Sequence, residues 1–398
     1  MSAKRVISFI NIAHTLDHLV MLILPTAVLG MGGVFGLGYG EILSLSIGSF
    51  IAFGAGSLPA GWLGDRWSRR HMMTVFFFGT GAACILVGLS TGPVMFAVTL
   101  TLVGLFAAIY HPVGGALLVA VAAKLGRSIG FNGVCGNLGV AGAALITGAI
   151  TQTLGWRAAF IVPGLVAIAA GIAFVLMVHD VEAARAVRKV QAALPPRAVM
   201  IRAFAVLAVV TIAGGVVFNA ATVALPKLLD ERLPSFVDQP FGVGAIASLV
   251  YLAGALAQAS IGSVIDRLPL KTVFVPLALM QAPCLYFAAT AEGWAVVWLT
   301  VPLMVAIFGQ VTVNDAMIAR YTADEWRARA FSVRYFMSFA AAATAVPLVA
   351  GLHEKTGGFT LTFMVLAVGG LVIFLSALAF PMRREEVAPR VAAAAAAE

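Results

Sequence analysis

Long apolar runs without charged residues alternate with short charged connections along the whole chain. Most runs reach the roughly 20 residues that an α-helix needs to cross a bilayer. They predict twelve transmembrane spans, at about 6–30, 39–62, 72–90, 94–120, 127–152, 158–178, 203–226, 242–265, 272–290, 294–319, 329–351 and 358–381. The pattern favours an all-α polytopic membrane protein.

The longest charged connection, HDVEAARAVRKVQAALPPRAVMIR, divides the predicted spans six and six. The second half also repeats the first. At an offset of 201 residues, Leu24-Pro25 aligns with Leu225-Pro226, and GWLGDR (61–66) aligns with GSVIDR (262–267). Such repeats are typical of transporters built from two bundles with a site between them. We predict bundles at 1–178 and 203–382, a cytoplasmic linker at 179–202 and a disordered tail at 383–398.

Composition and charge agree with a membrane protein. Of the 398 residues, 61% are hydrophobic and 11% are charged, whereas soluble domains carry about 25% charged residues. The net charge of +8 could indicate a nucleic-acid partner. With the N-terminus in the cytoplasm, however, twenty of the 25 lysines and arginines fall in inside segments and four fall in outside loops. This positive-inside bias explains the charge without nucleic acid, and predicts an inner-membrane protein with both termini cytoplasmic.

A glycine–aspartate–arginine motif ends the second predicted span, in GWLGDRWSRR (61–70). Gly61 would let two helices approach closely, Asp65 could pair near helix ends, and the arginines would lie at the inner headgroups. The repeat places Asp266 and Arg267 at equivalent positions. This repeated Gly-x-x-x-Asp-Arg spacing, with twelve spans and a central connection, resembles the signature of the major facilitator superfamily. The resemblance implies two bundles that rock about a central cavity, and it implies gating roles for Gly61, Asp65, Arg66, Arg70, Asp266 and Arg267.

The first span carries a polar stripe formed by Asn11, His14, Asp17 and His18. At 100° per residue these side chains fall within about 120° of arc. Ionisable groups in a membrane are costly and usually face the bundle interior or a water-filled cavity. The stripe could carry a coupling proton, bind an ionic cargo, hold a divalent metal or join helices through hydrogen bonds. The repeat holds Gly, Phe and Asn219 opposite the three ionisable positions, and this asymmetry favours a functional role.

A further histidine, His111, lies mid-membrane in the fourth span and precedes Pro112. Proline opens a helix and frees a carbonyl, so His111 either lines the cavity or satisfies the kink. Together, AHTLDH, YHPVGGA and GNLGVAG resemble the fosmidomycin-resistance branch of the superfamily. That branch has His followed by Asn-Asp in the first span and His-Pro-Glu in the fourth. Here Asp17 and His18 replace Asn and Asp, and Val113 replaces Glu, so substrate and coupling stay open.

The fifth span has a glycine at every third position of GFNGVCGNLGVAG. Glycine is unfavourable in a helix in water, but between membrane helices small residues permit close backbone contact. The superfamily resemblance implies that this span lies at the seam between bundles, as a smooth groove for a moving partner helix. Tight packing without motion is the alternative. The residues are Gly130, Gly133, Gly136, Gly139 and Gly142.

The second half holds fewer intramembrane polar residues. Gln310 and Asn314 share a face of the tenth span. Asp315 and Arg334 lie near the cytoplasmic ends of the tenth and eleventh spans and could meet, either as a structural or gating ion pair or as a cargo anchor. Weaker candidates are Asn132, Asn137, Asn219, Lys227 and Gln258.

These features predict a secondary transporter, since the sequence shows no phosphate-binding loop or nucleotide domain. We expect a monomer that moves a small polar or anionic organic compound, more readily outward, with a proton as coupling ion and no other cofactor. One alternative is a divalent-metal transporter that uses His14, Asp17 and His18 as ligands. Another is a transport-dead membrane sensor. An enzyme is disfavoured because no nucleophile–base set is apparent. The candidate substrate- or proton-binding residues are Asn11, His14, Asp17, His18, His111, Asn219, Gln310, Asn314, Asp315 and Arg334.

Overall fold

The computed structural model describes residues 3–122, 125–178, 195–233, 239–265, 267–322 and 324–382, and these ranges are helical with short connections. The α-helices are α1 (Ala3–Met21), α2 (Ile23–Ala27), α3 (Tyr39–Ser44), α4 (Ile47–Arg66), α5 (Arg69–Gly88), α6 (Pro93–Ala107), α7 (Gly115–Val121), α8 (Leu125–Leu154), α9 (Trp156–Met177), α10 (Arg197–Arg232), α11 (Pro240–Ile265), α12 (Leu270–Ala288), α13 (Trp294–Tyr321), α14 (Asp324–Thr356) and α15 (Thr360–Ala379). Within the described ranges, eleven helical segments are long and apolar enough to cross a membrane, and the bent segment Ala3–Gly30 makes twelve if it forms one span.

Proline breaks two spans that the sequence predicted as continuous helices. The first span bends by 44° after α1. Pro25 cannot donate a hydrogen bond to the carbonyl of Met21, and its ring crowds that carbonyl, so the helix stops there. In the fourth span, Pro112 acts in the same way on the carbonyl of Ala108. The backbone forms a π turn at Tyr110–Gly114 between α6 and α7. Such turns are frequent at functional sites.

Two spans are longer than their hydropathy indicated. The seventh was predicted over 203–226, but α10 covers Arg197–Arg232. The eleventh was predicted over 329–351, but α14 covers Asp324–Thr356. Hydropathy detects only the apolar part of a helix, and these helices continue into charged turns. The last residues of the predicted linker therefore belong to α10. Residues 179–194 of that linker, and the predicted tail at 383–398, lie outside the described ranges, and the division into two domains stays a prediction.

The distribution of polar and apolar side chains is that of a protein in lipid. Trp298 and Leu249 are 74% and 66% exposed, whereas the carboxylate-bearing Asp17 is 0% exposed. Large apolar residues also cover the outer faces of most other spans. Contiguous exposed apolar surface of this extent does not occur on soluble monomers. With the helix lengths, it identifies a multi-pass membrane protein.

The first six and last six spans contact each other mainly through two helix pairs, α8 with α11 and α4 with α14. These contacts lie toward one end of the molecule. Gly148 lies against the backbone of Pro240, and Gly54 lies against Phe339. At the other end, a Cβ on Gly133 or Gly262 would have no neighbour within 4 Å. Among the described residues, the closest backbone contacts between the halves are therefore concentrated at one end, and space remains around Gly133 and Gly262 at the other.

Candidate functional site

Three histidines from two spans come together between the helices of the first half. Helix α1 presents His14 and His18 one turn apart, and the π turn brings His111 to them. The Nε2 atoms of His14 and His18 lie 3.1 Å apart. The ring centroid of His111 lies 5.5 Å from each of the other two rings. We call these three residues the histidine cluster.

Asp17 is fully buried beside this cluster. Its Oδ2 atom lies 3.3 Å from Nε2 of His111. Among the described residues, neither carboxylate oxygen has a hydrogen-bond partner of good geometry. A buried carboxylate is costly unless a charged or hydrogen-bonding partner compensates it. Asp17 and His111 therefore form a pair whose charge depends on where its proton lies.

Asn132 of α8 connects the polar stripe of α1 to the fourth span. Its amide nitrogen donates to Oδ1 of Asn11 at 2.9 Å, and it lies 2.9 Å from the hydroxyl of Tyr110. The backbone carbonyl of Asn132 accepts from Nδ1 of His14 at 2.7 Å. Because a carbonyl can only accept, Nδ1 of His14 carries the proton and Nε2 keeps its lone pair. Asn132 thereby sets the tautomer of one member of the cluster.

In the second half, Arg334 donates a hydrogen bond to Oδ1 of Asp315. Its guanidinium lies 5.3 Å from the ring centroid of Tyr335. The ring of Tyr335 in turn lies 5.5 Å from that of His111. Tyr335 therefore lies between the Asp315–Arg334 pair and the histidine cluster. The sequence interpretation did not single out Tyr335 or Tyr110, although each is adjacent in sequence to a buried basic residue.

The other candidates of the second half make contacts within that half. Gln310 accepts a hydrogen bond from Gln281. Asn219 donates to the carbonyl of Gly215, in its own helix, at 2.8 Å. Asn314 is buried, and its Oδ1 has no partner among the described residues. Of these three, Asn314 alone offers an unused polar atom, and it adjoins Asp315 in the sequence.

The predicted gating residues make their contacts within one half in this conformation. Gly61 packs against Pro112, where an added Cβ would lie 3.2 Å from the proline ring, so it supports the π turn. Asp65 pairs with Arg69 at 2.7 Å. Arg66 lies over the ring of Trp62. Arg70 donates to the carbonyls of Val175 and Val178. The backbone N–H of Arg267 donates to the carbonyl of Val264. Asp266 lies outside the described residues.

The glycine run of α8 faces α1 at two positions. A Cβ on Gly136 would lie 2.5 Å from Nε2 of His14, and one on Gly139 would meet the backbone carbonyl of Thr15. A Cβ on Gly142 would have its nearest neighbour within α8 itself, at 3.6 Å, while one on Gly130 or Gly133 would have nothing within 4 Å. The glycines bring α1 close to α8 at the histidine cluster. A seam role for the whole run stays a prediction.

The contact between α8 and α11 uses residues that the sequence interpretation passed over. Ser248 accepts from the backbone of Leu145 at 2.9 Å and donates to the carbonyl of Ala141. Gly244 lies against the backbone of Ala144. The sequence contains a pattern that predicts this contact. Gly244 and Ser248 form a small-x-x-x-small pair, which favours close packing of membrane helices. The weaker candidates Asn137 and Gln258 bond to each other across the same contact.

The fold of this chain is similar to that of solved transporter structures. Solved structures of similar fold include a bacterial homologue of the human lysosomal transporter Spinster, in an inward-facing and occupied conformation (TM-score 0.72, 14% identity, 95% of this chain and 94% of that chain). Another is a D-xylose–proton symporter (TM-score 0.73, 15% identity, 94% of this chain and 96% of that chain). Both likenesses concern the fold.

Among curated proteins, the tetracenomycin C resistance and export protein of Streptomyces glaucescens is 34% identical over 132 residues. The match covers 32% of this chain and spans about a quarter, 24%, of that relative's length. These comparisons do not single out the fosmidomycin-resistance branch, which stays a prediction. The sequence matches the family profile of the Major Facilitator Superfamily over residues 10–237 and 233–397. Because these matches cover nearly the whole chain, the protein belongs to the Major Facilitator Superfamily.

Proposed function

We propose that this transporter exports a small polar or anionic organic compound from the cytoplasm in exchange for protons. The family and fold support secondary transport, and the name of the Streptomyces relative supports export. The observation that carries the proton coupling is the buried pair of Asp17 and His111. The lysine and arginine bias supports an inner-membrane location with both termini in the cytoplasm. In that orientation the end at which Gly133 and Gly262 have no Cβ neighbours among the described residues faces the cytoplasm.

Asp17 and His111 are suited to exchange a proton during transport. When the pair holds one proton it is neutral overall, and when it loses that proton it carries one negative charge. A negative charge without compensation is costly in a low-dielectric cavity, so the proton content of the pair affects which conformation is favoured. Coupling requires this dependence, because a ligand shifts a conformational equilibrium only through different affinities for the two states.

The second half supplies unused polar atoms for the cargo. Nε of Arg334 and Oδ1 of Asn314 are buried without partners among the described residues. A cargo oxygen could accept from Arg334, and a cargo hydroxyl or amine could donate to Asn314. Since Tyr335 contacts both Arg334 and His111, cargo bound there would lie next to the proton-carrying pair. This arrangement favours a polar cargo with at least one negatively charged or strongly accepting group.

The experiment is a proton-flux assay in proteoliposomes with a trapped pH-sensitive dye and EDTA in all buffers. The panel would contain tetracenomycin C, phosphonate antibiotics and simple organic anions. At least one compound should drive proton movement with wild-type protein. We expect Asp17→Asn to reduce this flux at least tenfold and to abolish the pH dependence of residual transport. Glu292→Gln is the matched control, because Glu292 is an exposed carboxylate paired with Arg232 at 2.7 Å.

Two outcomes would contradict the proposal. Wild-type pH dependence in Asp17→Asn would exclude Asp17 as the proton carrier. Absence of flux with every compound, from protein that is folded and correctly inserted, would favour the transport-dead sensor. A phosphonate that drives flux would instead support the resemblance to the fosmidomycin-resistance branch.

A further inference from the structure

The histidine cluster has a geometry that proton exchange between Asp17 and His111 does not require. We infer that His14, His18 and His111 bind one divalent transition-metal ion of the zinc class inside the cavity. The nearest ring nitrogens of the three side chains lie within 4.8 Å of one another. This site is independent of the organic cargo, and its metal occupancy can be measured without transport.

The spacing of two of the nitrogens already suits a common metal ion. Zinc–nitrogen bonds of 2.0–2.1 Å in a tetrahedron give nitrogen–nitrogen distances of about 3.3 Å. The Nε2 atoms of His14 and His18 lie 3.1 Å apart, which is close to one such edge. Histidines four residues apart on one helix face form the same kind of pair in known zinc sites. The nitrogen of His111 must move inward by at most about 1.5 Å to complete a triangle.

The protonation of His14 favours a metal ligand. Its Nδ1 donates to the carbonyl of Asn132 at 2.7 Å, so its Nε2 has a free lone pair. Without a metal, His18 must donate a proton to that lone pair to make the 3.1 Å contact. A metal ion would bind both Nε2 atoms once the proton of His18 moves to Nδ1 of the same ring. Metal binding to histidine requires the neutral ring, so affinity should fall as pH decreases.

Asp17 can orient one of the ligand rings, and its negative charge can balance the positive charge of the metal ion. Metal-binding histidines commonly donate their second nitrogen to a carboxylate, which orients the ring. Oδ2 of Asp17 lies 3.3 Å from Nε2 of His111, close enough to orient that ring. The buried oxygens of Asp17 have no hydrogen-bond partners among the described residues, so a nearby cation would satisfy an existing deficit of positive charge. Three protein ligands leave a fourth position for water.

Few uncompensated charges lie near the histidine cluster on the adjoining elements. On the second half, Asp315 and Arg334 lie beyond Tyr335 and neutralise each other through their hydrogen bond. The neighbouring groups on α8 and the fourth span, Asn132 and Tyr110, are polar and uncharged at neutral pH. Asp17 is therefore the acid that compensates the ion, and the site should be specific for metals that accept imidazole nitrogen.

The test is a titration of purified full-length protein, prepared in detergent with an affinity tag that contains no histidine. Zinc binding is followed by calorimetry, and Co²⁺ binding by the visible absorption bands that identify tetrahedral coordination. We expect one ion per protein. His18→Ala and His111→Ala should each lower affinity at least tenfold, and Asp17→Asn should lower it about 10- to 100-fold. His71→Gln, at an exposed position away from the histidine cluster, is the matched control and should bind as wild type.

Several results would overturn the site. These are absence of the cobalt bands in wild-type protein, binding equally weakened by His71→Gln, or unchanged affinity in His18→Ala. Size-exclusion profiles and melting temperatures identify variants that fail to fold. For such a variant, replacement by Gln, which keeps the side chain polar without an imidazole, gives the deciding measurement.

Failure of the metal site and failure of the proposed export can be told apart. Compound-driven proton flux in EDTA without zinc binding would remove the metal site and keep the export function. Zinc binding without any compound-driven flux would have the opposite meaning. Accumulation of zinc inside vesicles would support the site and make the metal itself the cargo, in place of the organic compound.

Discussion

At the scale of single residues, one asparagine connects the parts of the candidate site. Asn132 contacts Asn11 and His14 of the first span and Tyr110 of the fourth. It is 9% exposed, so water cannot readily replace these partners. Its removal would leave the hydroxyl of Tyr110 and the amide oxygen of Asn11 unsatisfied. Asn219 is a useful comparison, because its side chain bonds to its own helix backbone.

We therefore expect Asn132→Ala to lower stability more than Asn219→Ala. Hydrogen bonds between membrane helices contribute about 0.6 kcal/mol each on average, so the loss of two should cost roughly 1 kcal/mol. Thermal unfolding in detergent, followed by intrinsic fluorescence, would measure the difference. Equal melting temperatures for the two variants would show that Asn132 does not organise the site. Asn132→Ala should keep the tautomer of His14, because the group that accepts from Nδ1 of His14 is the backbone carbonyl of residue 132.

Residue type explains why only part of this site could be predicted. Histidine, aspartate and arginine are rare in membrane spans, so His14, Asp17 and Arg334 stand out in the sequence. Tyr110 and Tyr335 do not stand out among 26 phenylalanines and six tyrosines. Their importance depends on which helices pack together, and the local pattern contains no such information.

At the scale of helices, α8 contacts different partners along its length. Near its middle it packs on α1 at Gly136 and Gly139, and toward its end it packs on α11 at Gly148. The glycine period predicted close packing of this span but not the partner at each turn. That choice depends on α11, whose Gly244 and Ser248 provide the matching small residues. The opening at Pro112 was predicted from the proline, but the break near Pro25 was not, since Pro226 at the equivalent repeat position lies inside continuous α10.

Larger side chains at the two ends of α8 should shift the conformational equilibrium in opposite directions. Gly148→Leu introduces a side chain where the backbone of Pro240 lies, so it should disfavour closure of that end. Gly133→Leu points into open space here. It should obstruct closure of the other end, which alternating access requires. We expect the first variant to populate the opposite conformation and the second to retain this one without transport.

Spin-label distances across both ends, in a cysteine-free background, would report the two shifts. Matched substitutions at Gly92, which lies in a connection with no neighbour within 4 Å, should leave both distributions unchanged. A shift in the same direction for Gly133→Leu and Gly148→Leu would contradict the assignment of the two ends.

At the scale of the whole molecule, a group of aromatic and charged side chains connects the two halves at one end. Tyr39, at the start of α3 in the first half, lies with its ring centroid 4.9 Å from that of His353. The ammonium of Lys227 lies 5.8 Å from the same tyrosine ring. His353 is held by Glu231 at 2.7 Å, within the second half. Tyr39 of the first half therefore contacts His353 and Lys227 of the second half.

We expect Tyr39→Ala to shift the protein toward the state that is open at this end. Aromatic and cation–π contacts of this kind contribute about 0.5–1.5 and 0.5–1 kcal/mol respectively. Their joint loss of about 1–2.5 kcal/mol corresponds to roughly a five- to sixtyfold change in the ratio of the two states. Because the recorded ring contacts of Tyr39 are with His353, Phe359 and Lys227 and not with the histidine cluster, metal affinity in a fixed conformation should not change. The substitution alters the balance of conformations alone.

The measurement is the distance between spin labels at Glu41 and Lys355, exposed positions in the first and second halves beside this contact. Tyr39→Ala should increase the long-distance population. Tyr286→Ala, which removes a tyrosine that is 57% exposed on α12, is the control and should have no effect. If Tyr39→Ala leaves the distribution unchanged, the closed end is held by the packing of α8 on α11 without help from this group. Gly148→Leu would then be the stronger variant for opening it.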